Sequence, residues 1–356
     1  MKPAIYLDNH ATTRCDPRVV DAMVPYFSER FGNASSVSHR YGVDAATAVE
    51  AARRDVASII GASPKEIVFT SGTTESVNLA LKGLFESNQP RKSHIVTLAT
   101  EHRAVLDTCE ALTLRGASVT VVPVDGVGVV EVAAVEAALT DATLAVVVMA
   151  ANNEIGTVQR CLVDGTLGAM CRARGVALVC DAAQLVGKLP FDVGTAGVDV
   201  AAFSAHKMYG PKGVGALYVR RRPPVRLTAQ IDGGGQERTL RAGTLNVPGI
   251  VGLGMACLLA ATEMPVEAAR LSRLRDRLWQ GLSGIEAITL NGPGLAGGGV
   301  ERLPNNLHLS VAHVEGDALL KAIDGVALSS GSACSSARLE SSHVLRAIGV
   351  PDALAY

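Results

Sequence analysis

One stretch of the sequence decides the fold: Leu144-Ala145-Val146-Val147-Val148-Met149-Ala150, a run of apolar residues without a polar interruption. Such a run is typical of a central parallel strand that helices cover on both faces. Shorter apolar segments predict further strands, at residues 66–70, 94–99, 118–122, 176–180, 200–203 and 215–219. Helical spacing predicts helices around them, at residues 43–60, 75–85, 106–114 and 165–174. The alternation predicts an α/β domain with a mainly parallel, seven-stranded sheet.

The pattern changes towards the C-terminus. Two helices are predicted in succession, a buried one at residues 250–261 and a charged one at residues 264–282. After a glycine-rich loop, short elements are predicted as strands at 306–311 and 326–328 and as helices at 316–323 and 342–348. We expect this part to form a second, smaller α+β unit.

Composition and charge exclude several classes of protein. The 356 residues include 33 Lys and Arg against 34 Asp and Glu, and 4% are aromatic, so neither nucleic acid nor a membrane surface is expected as a partner. No apolar run reaches the roughly 18 residues of a spanning helix, and no signal-peptide pattern is present. The cysteines, 7 in all, form no Cys-x-x-Cys pair, which indicates reduced thiols and no structural zinc. We expect a cytoplasmic protein.

The segment Thr70-Ser71-Gly72-Thr73-Thr74-Glu75 joins a predicted strand to a predicted helix. The unpaired N–H groups and the dipole of a helix N-terminus bind phosphate, and the hydroxyls of Thr73 and Thr74 add donors. An ordinary Ser/Thr N-cap, with Glu75 in the first turn, explains the same residues without a ligand. The spacing fits neither the glycine motif of dinucleotide-binding proteins nor the phosphate loop of nucleoside triphosphatases.

Two charged residues follow buried strands at the carboxyl edge of the sheet, where α/β proteins bind ligands. Asp181 closes the segment Val179-Cys180-Asp181, and its carboxylate suits either a protonated pyridine nitrogen or the N-cap of a following helix. Lys207 follows Phe203-Ser204-Ala205-His206 and precedes a Gly/Pro turn. Desolvation lowers the pKa of an ammonium group, and a neutral amine forms a Schiff base with an aldehyde. Lys212, in the turn, is expected to be solvated.

Cys334 lies in the segment Ser329-Ser330-Gly331-Ser332-Ala333-Cys334-Ser335-Ser336. A cysteine among Ser, Gly and Ala has little to pack against, which disfavours a buried structural role. A lone thiol in a loop suits a nucleophile that must reach a substrate and then a partner.

These motifs together resemble those of the cysteine desulfurases, which are pyridoxal phosphate enzymes of the fold-type-I aminotransferase superfamily. The resemblance runs from Tyr6 to the last residue, and the segment around Cys334 is similar to that of the long-loop branch, which serves iron–sulfur cluster assembly. The resemblance also rests on four further segments: Phe31-Gly32-Asn33, Thr100-Glu101-His102, Asn152-Asn153-Glu154-Ile155-Gly156 and Arg241-Ala242-Gly243-Thr244. It implies a large cofactor-binding domain over residues 16–262, and a small domain made of residues 1–15 and 263–356.

The resemblance implies roles for residues around the cofactor ring. Lys207 would hold pyridoxal 5'-phosphate as a Schiff base and would move the α-proton of the substrate. Asp181 would pair with the pyridinium nitrogen, and the ring of His102 would stack on the pyridine face. Gln184 and Asn153 would lie beside the ring, with Gln184 facing the phenolic oxygen.

It also implies how phosphate and sulfur are handled. The phosphate would be held by the side chains of Thr73, Thr74, Ser204 and His206. Thr244 would reach it from the other subunit of a homodimer. Cys334 would take sulfur from L-cysteine, leaving alanine, and would pass the persulfide to an iron–sulfur scaffold or another acceptor, for cluster assembly or tRNA thiolation. No resident metal is expected, and Cys334 would meet an iron–sulfur cluster only transiently.

Two other functions stay open on the sequence: a non-catalytic scaffold with the same fold, and a selenocysteine lyase-like enzyme. Ala205 stands where the family often has Gly, and His10 occupies a variable position and is given no role. The arginine with which the family clamps the substrate carboxylate falls beyond Tyr356, so the C-terminal part of the family fold is expected to be missing.

Overall fold

The computed structural model describes residues 4–295, 300–330 and 341–355. The strands are β1 (Ile5–Tyr6), β2 (Ile67–Thr70), β3 (His94–Leu98), β4 (Ser118–Val122), β5 (Thr143–Met149), β6 (Ala177–Asp181), β7 (Val200–Ser204), β8 (Gly215–Val219), β9 (Ile288–Leu290), β10 (Leu309–Val311) and β11 (Val326–Ala327). The helices are α1 (Pro17–Met23), α2 (Pro25–Ser28), α3 (Arg40–Ser58), α4 (Thr73–Asn88), α5 (Arg103–Thr113), α6 (Val132–Ala137), α7 (Arg160–Val163), α8 (Thr166–Ala173), α9 (Val247–Leu282), α10 (Gly316–Ala322) and α11 (His343–Ala347).

A seven-stranded sheet forms the centre of the molecule, with the strand order β2-β8-β7-β6-β5-β3-β4. Within this sheet β8 runs antiparallel to both neighbours, and the other pairs are parallel. Alternate residues of β5 enter two separate apolar cores: Val146 and Val148 pack on one side, and Ala145 and Val147 on the other. The predicted α/β fold with a mainly parallel seven-stranded sheet is confirmed.

Helix α9 corrects one prediction. Residues 250–261 and 264–282 do not form two helices, because α9 continues through Pro265. The change from apolar to charged sequence marks the passage of one helix from core to surface: Leu253 and Cys257 are buried, whereas Leu274 is exposed. In the described part of the chain α9 is also a helix long and apolar enough to cross a membrane, by length and mean hydropathy alone, although it contains no uninterrupted apolar run of about 18 residues. Its buried N-terminal half packs against α3 and α1.

The remaining strands form two small pairs. β1 pairs in parallel with β11, with Ile5 opposite Val326, so the first described residues lie beside the C-terminal part. β9, which the sequence pattern did not predict, pairs antiparallel with β10, and the predicted strand at 306–311 is confined to β10. The division at residues 262 and 263 falls inside α9, and the two-domain organisation stays a prediction.

Candidate active site

The carboxyl ends of β5, β6 and β7 open into a cavity of about 580 Å³. Its described lining includes most of the predicted site residues, namely Thr73, Thr74, His102, Asn153, Asp181, Gln184, Ser204, His206 and Lys207. Thr244 is exposed and is not part of this lining. Cys334 lies outside the described residues, in 331–340. The cavity volume is in the range of small-molecule sites.

Asp181 places a carboxyl group at the floor of this cavity. The residue is 3% exposed, and its Oδ1 accepts a hydrogen bond of 3.0 Å from the backbone N–H of Ala183. Burial raises the pKa of Asp181, whereas interactions with His102 and Lys207 lower it. Residues 183–188 form turns, so Asp181 is not the N-cap of a following helix. A buried carboxylate in this place favours a cationic partner within the cavity.

Lys207 ends a short 3₁₀ helix that directly follows β7. Its Nζ donates to the carbonyl oxygens of His10, at 2.5 Å, and of Ala11, at 2.9 Å. Both acceptors belong to the segment after β1, which therefore closes one side of the cavity. Lys212 lines the same cavity from an exposed turn.

The N-terminus of α4 faces the cavity with unused donors. Its N-cap is Gly72, whose φ of 152° favours glycine, and no side chain caps the helix, so the interpretation as a Ser/Thr N-cap is wrong. The buried Oγ1 of Thr73 has no hydrogen-bond partner among the described residues. N–H groups of a first helical turn have no acceptor within the helix. This donor set fits a phosphate group.

Ser204 and His206 complete this end of the cavity. Ser204 is buried at the end of β7, and His206 Nδ1 lies 3.2 Å from Thr12 Oγ1. Burial lowers the pKa of His206 to about 4, and the charges of Lys207 and Lys212 add to this effect. His206 is therefore neutral near pH 7 and can offer one N–H to an anion.

His102 is held in one orientation at the start of α5. Its Nδ1 accepts a hydrogen bond of 3.0 Å from the backbone N–H of Ala104. Glu154, which the sequence analysis gave no separate role, also lines the cavity and accepts a 2.5 Å hydrogen bond from Ser342 Oγ. Burial raises the pKa of Glu154 to about 7, although Ser342 and His102 act in the opposite direction.

Three further residues of the cavity or its wall were not predicted: His10, Lys188 and Asn306. His10 and Asn306 line the cavity, and Lys188 Nζ lies 2.5 Å from Gln184 Oε1. His10 Nδ1 lies 3.2 Å from the same oxygen, and His10 Nε2 lies 3.3 Å from Asn306 Nδ2. No spacing pattern relates these residues, because His10 and Gln184 are far apart in the sequence.

None of the described cysteines lines the cavity. Burial raises the pKa of Cys161 to about 11 and that of Cys109 to about 12, so both stay protonated near neutral pH. Thiols with such values are poor nucleophiles. Ser330, the last described residue before Cys334, does line the cavity.

Comparison with known proteins gives the same picture. The aminotransferase class-V family matches residues 5–348. The cysteine desulfurase IscS of Anaeromyxobacter sp. (strain Fw109-5) is 56% identical over 357 residues, which cover 100% of this chain and 86% of that protein. The cysteine desulfurase IscS of Salmonella arizonae is 51% identical, with 100% and 87% covered. The chain belongs to the cysteine desulfurases of the aminotransferase class-V family.

Solved structures of similar proteins agree with this assignment. A NifS-like protein superposes with a TM-score of 0.90 at 39% identity, covering 99% of this cysteine desulfurase and 91% of that chain. A structure described as SspA in complex with cysteine gives a TM-score of 0.84 at 33% identity, covering 99% and 96%. The fold is therefore that of the fold-type-I pyridoxal phosphate enzymes.

Pyridoxal 5'-phosphate is the cofactor of this family, and the described residues fit it. The unpartnered Oγ1 of Thr73 at the N-terminus of α4 suits its phosphate. The buried carboxyl of Asp181 suits its ring nitrogen, and the amine of Lys207 suits its aldehyde. All three groups line the same cavity.

Proposed function

We propose that this cysteine desulfurase converts L-cysteine to L-alanine, forms a persulfide on Cys334 and passes that sulfur to an acceptor protein. The observation that carries the proposal is the convergence of Lys207, Asp181 and the uncapped N-terminus of α4 on one cavity. Its relatives named IscS cover the full chain at 50% identity or more. One similar solved structure is described as a complex with cysteine.

Different residues of the cavity carry out different parts of substrate activation. When bound, pyridoxal 5'-phosphate stores the electron pair that the substrate Cα releases on losing its proton. We assign the transfer of that proton to Lys207, whose Nζ is positioned by the carbonyls of His10 and Ala11. The buried Asp181 would keep a proton on the ring nitrogen, because a nearby carboxylate stabilises the cationic form.

The sulfur step needs a thiolate at the cavity. Cys334 would attack the substrate sulfur, so that an S–S bond forms as the Cβ–S bond breaks, and a proton on Cβ completes alanine. The sum is balanced: L-cysteine and one thiol give L-alanine and one persulfide. Ser330 lines the cavity, and the four residues from there to Cys334 can span at most about 14 Å. No described cysteine lines the cavity to compete for this role.

We further propose a homodimer in which Thr244 contributes to the cavity of the partner subunit. Thr244 is exposed and does not line the cavity of its own chain. Large apolar side chains at Phe27, Phe31 and Val37 are also exposed, at 66%, 64% and 86%, which supports a covered surface in an assembly. An iron–sulfur scaffold or another sulfur acceptor is the proposed partner, and the cytoplasm of a bacterium is the proposed location, since the relatives named IscS are bacterial proteins.

The test measures alanine, persulfide and cofactor absorbance with L-cysteine as substrate. The parent is expected to release alanine and, with a reductant, an equal amount of sulfide. Cys334→Ala should still bind the cofactor and change its absorbance on adding cysteine, but should form no persulfide. Cys161→Ala is the matched control and should behave as the parent, since Cys161 lies away from the cavity.

Three outcomes would contradict the proposal. Sulfide release by Cys334→Ala at the parent rate would remove that residue from the reaction. Absence of alanine with the parent, in the presence of bound cofactor, would favour the non-catalytic scaffold. A kcat/KM for selenocysteine far above that for cysteine, with no persulfide on Cys334, would favour the lyase.

A further inference from the structure

Lys188 lies beside the cavity and has no part in the proposed chemistry. It ends the turns that follow Asp181, and its Nζ donates a 2.5 Å hydrogen bond to Gln184 Oε1. Gln184 is buried, 3% exposed, and lines the cavity. The amide of Gln184 therefore has a basic neighbour that is not itself part of the cavity lining.

The contacts of Gln184 determine which way round its amide lies. The ammonium form of Lys188 can only donate a hydrogen bond, so in that form the atom that meets its Nζ is the oxygen. A carbonyl can only accept, so the atom that lies 3.1 Å from the backbone oxygen of His10 is the nitrogen. The reversed amide would set donor against donor and acceptor against acceptor. With one N–H on His10, the second N–H of Gln184 is left for a ligand in the cavity.

A second amide favours one tautomer of His10, in agreement with this orientation of Gln184. Asn306 Oδ1 accepts from Arg302, which is also a donor-only group, and Asn306 Nδ2 donates to the backbone oxygen of Glu154 at 2.7 Å. Asn306 Nδ2 is then a donor towards His10 Nε2, which favours the tautomer that carries its proton on Nδ1, towards Gln184 Oε1. Burial lowers the pKa of His10 to about 3, with contributions from Lys188 and Lys207, and keeps the ring neutral.

We propose that Lys188 is a positioning residue that acts through Gln184: by donating to Oε1, it turns an N–H of Gln184 towards the phenolic oxygen of bound pyridoxal 5'-phosphate. The inference rests on the proposed function and adds to it a residue that does not touch the cofactor. Removing Lys188 leaves the His10 ring beside Oε1 and the His10 carbonyl as the acceptor from Nε2, so the amide orientation loses one of its three determinants. An N–H donor stabilises the anionic form of the phenolic oxygen, and so lowers the pKa at which the Lys207-linked chromophore loses its proton.

The test is a pH titration of the visible absorbance of the holoenzyme, compared in a double-mutant cycle. Lys188→Met and Gln184→Met should each raise the pKa of the transition by about one unit, a tenfold change in the protonation equilibrium. The double variant should raise it no further than the larger single change, because Lys188 acts through Gln184. Lys188→Arg, which keeps a donor-only group, should stay within about 0.3 unit of the parent.

The double-mutant cycle also distinguishes an effect of Lys188 through its hydrogen bond to Gln184 from an effect of its charge alone. Lys207, His10 and His206 are the titratable groups that interact with Lys188, and burial with the charge of Lys207 lowers the pKa of Lys188 to about 7. If Lys188 acted through its charge alone, the two single shifts would add in the double variant, and this result would overturn the proposal. Lys212→Met is the matched control, since it removes an exposed cation at the same cavity without touching Gln184. It should shift the transition by less than about 0.3 unit.

If circular dichroism shows that Lys188→Met does not fold, a second pair of variants still tests the proposal. Gln184→Glu can accept from Lys188 but cannot donate to the phenolic oxygen when ionised, so it should raise the pKa of the transition, whereas Lys188→Arg should not. The reverse pattern would overturn the proposal. Failure of the proposed function itself would be seen earlier and separately, as a parent protein that gives no chromophore with pyridoxal 5'-phosphate.

Discussion

Replacing Thr73 by Val tests the phosphate end of the cavity through two effects of opposite sign. The Oγ1 of Thr73 is buried at the N-terminus of α4 without a partner among the described residues. Val has the same shape and is also β-branched, so Thr73→Val removes the hydroxyl and changes little else. Without cofactor the unpartnered hydroxyl lowers the stability of the folded chain. With cofactor bound, the same hydroxyl donates a hydrogen bond to the charged phosphate.

The magnitudes follow from these two environments. A buried polar group without a partner costs about 1–3 kcal/mol, so the apo variant should be more stable than the apo parent by at least about 1 kcal/mol. A hydrogen bond to a charged group contributes about 1.5–3 kcal/mol, so the variant should bind pyridoxal 5'-phosphate roughly 10-fold to 150-fold more weakly. Binding of pyridoxal, which has no phosphate, should change little.

Urea unfolding of the apo proteins measures the difference in stability. Absorbance titrations with pyridoxal 5'-phosphate and with pyridoxal measure the difference in cofactor affinity. Thr97→Val is the matched control, because Thr97 Oγ1 is buried in β3 and donates to the backbone oxygen of Val147. It should lower the free energy of unfolding and leave cofactor affinity unchanged. A Thr73→Val protein that loses stability as Thr97→Val does, or binds the phosphorylated cofactor as tightly as the parent, would refute this reasoning.

Two further predictions concern buried charges. Glu154 has a pKa raised to about 7 in the folded chain against roughly 4.3 when unfolded, so its protonated form stabilises the fold below about pH 4 and this contribution is lost between about pH 4 and 7. Glu154→Gln should therefore lose less stability than the parent from pH 5 to pH 8, by up to about 3 kcal/mol in urea unfolding, and an identical pH dependence would contradict the assignment. Arg53 pairs with the buried Glu237 at 2.7 Å, and Arg53→Met should lower the free energy of unfolding by about 3–5 kcal/mol because it leaves a buried carboxylate unpaired. Arg270→Met, at an exposed pair, should cost less than about 1 kcal/mol, and equal losses would count against the argument.

The strands were the most predictable part of the structure because burial on both faces leaves a simple signal. The apolar run at 144–150 differs from β5 (Thr143–Met149) by one residue at each end. Composition was a less reliable guide to the bounds of α9. The polarity of its side chains indicates whether they are buried or exposed, but it does not show whether the helix continues. The helix keeps its direction through Pro265 while its surroundings change from core to solvent.

The site was predictable where a residue type marks the end of a strand. Asp181 is the last residue of β6, Lys207 ends the short 3₁₀ helix that follows β7, and parallel strands bring their carboxyl ends together. His10 and Lys188 carry no such mark, because their contacts with Gln184 depend on how the segment after β1 folds over the sheet. The role of Cys334 stays a prediction, since that residue lies outside the described ranges.

The central claim is that this cavity holds pyridoxal 5'-phosphate on Lys207, and one measurement tests it most directly. The holoenzyme is reduced with borohydride and digested, and the modified lysine is located by mass spectrometry. The cavity offers a strict comparison, because Lys212 lines it and Lys188 contacts Gln184 in its wall. We predict a single pyridoxyl group on Lys207, whereas a label on Lys188 or Lys212, or on no lysine, would contradict the account.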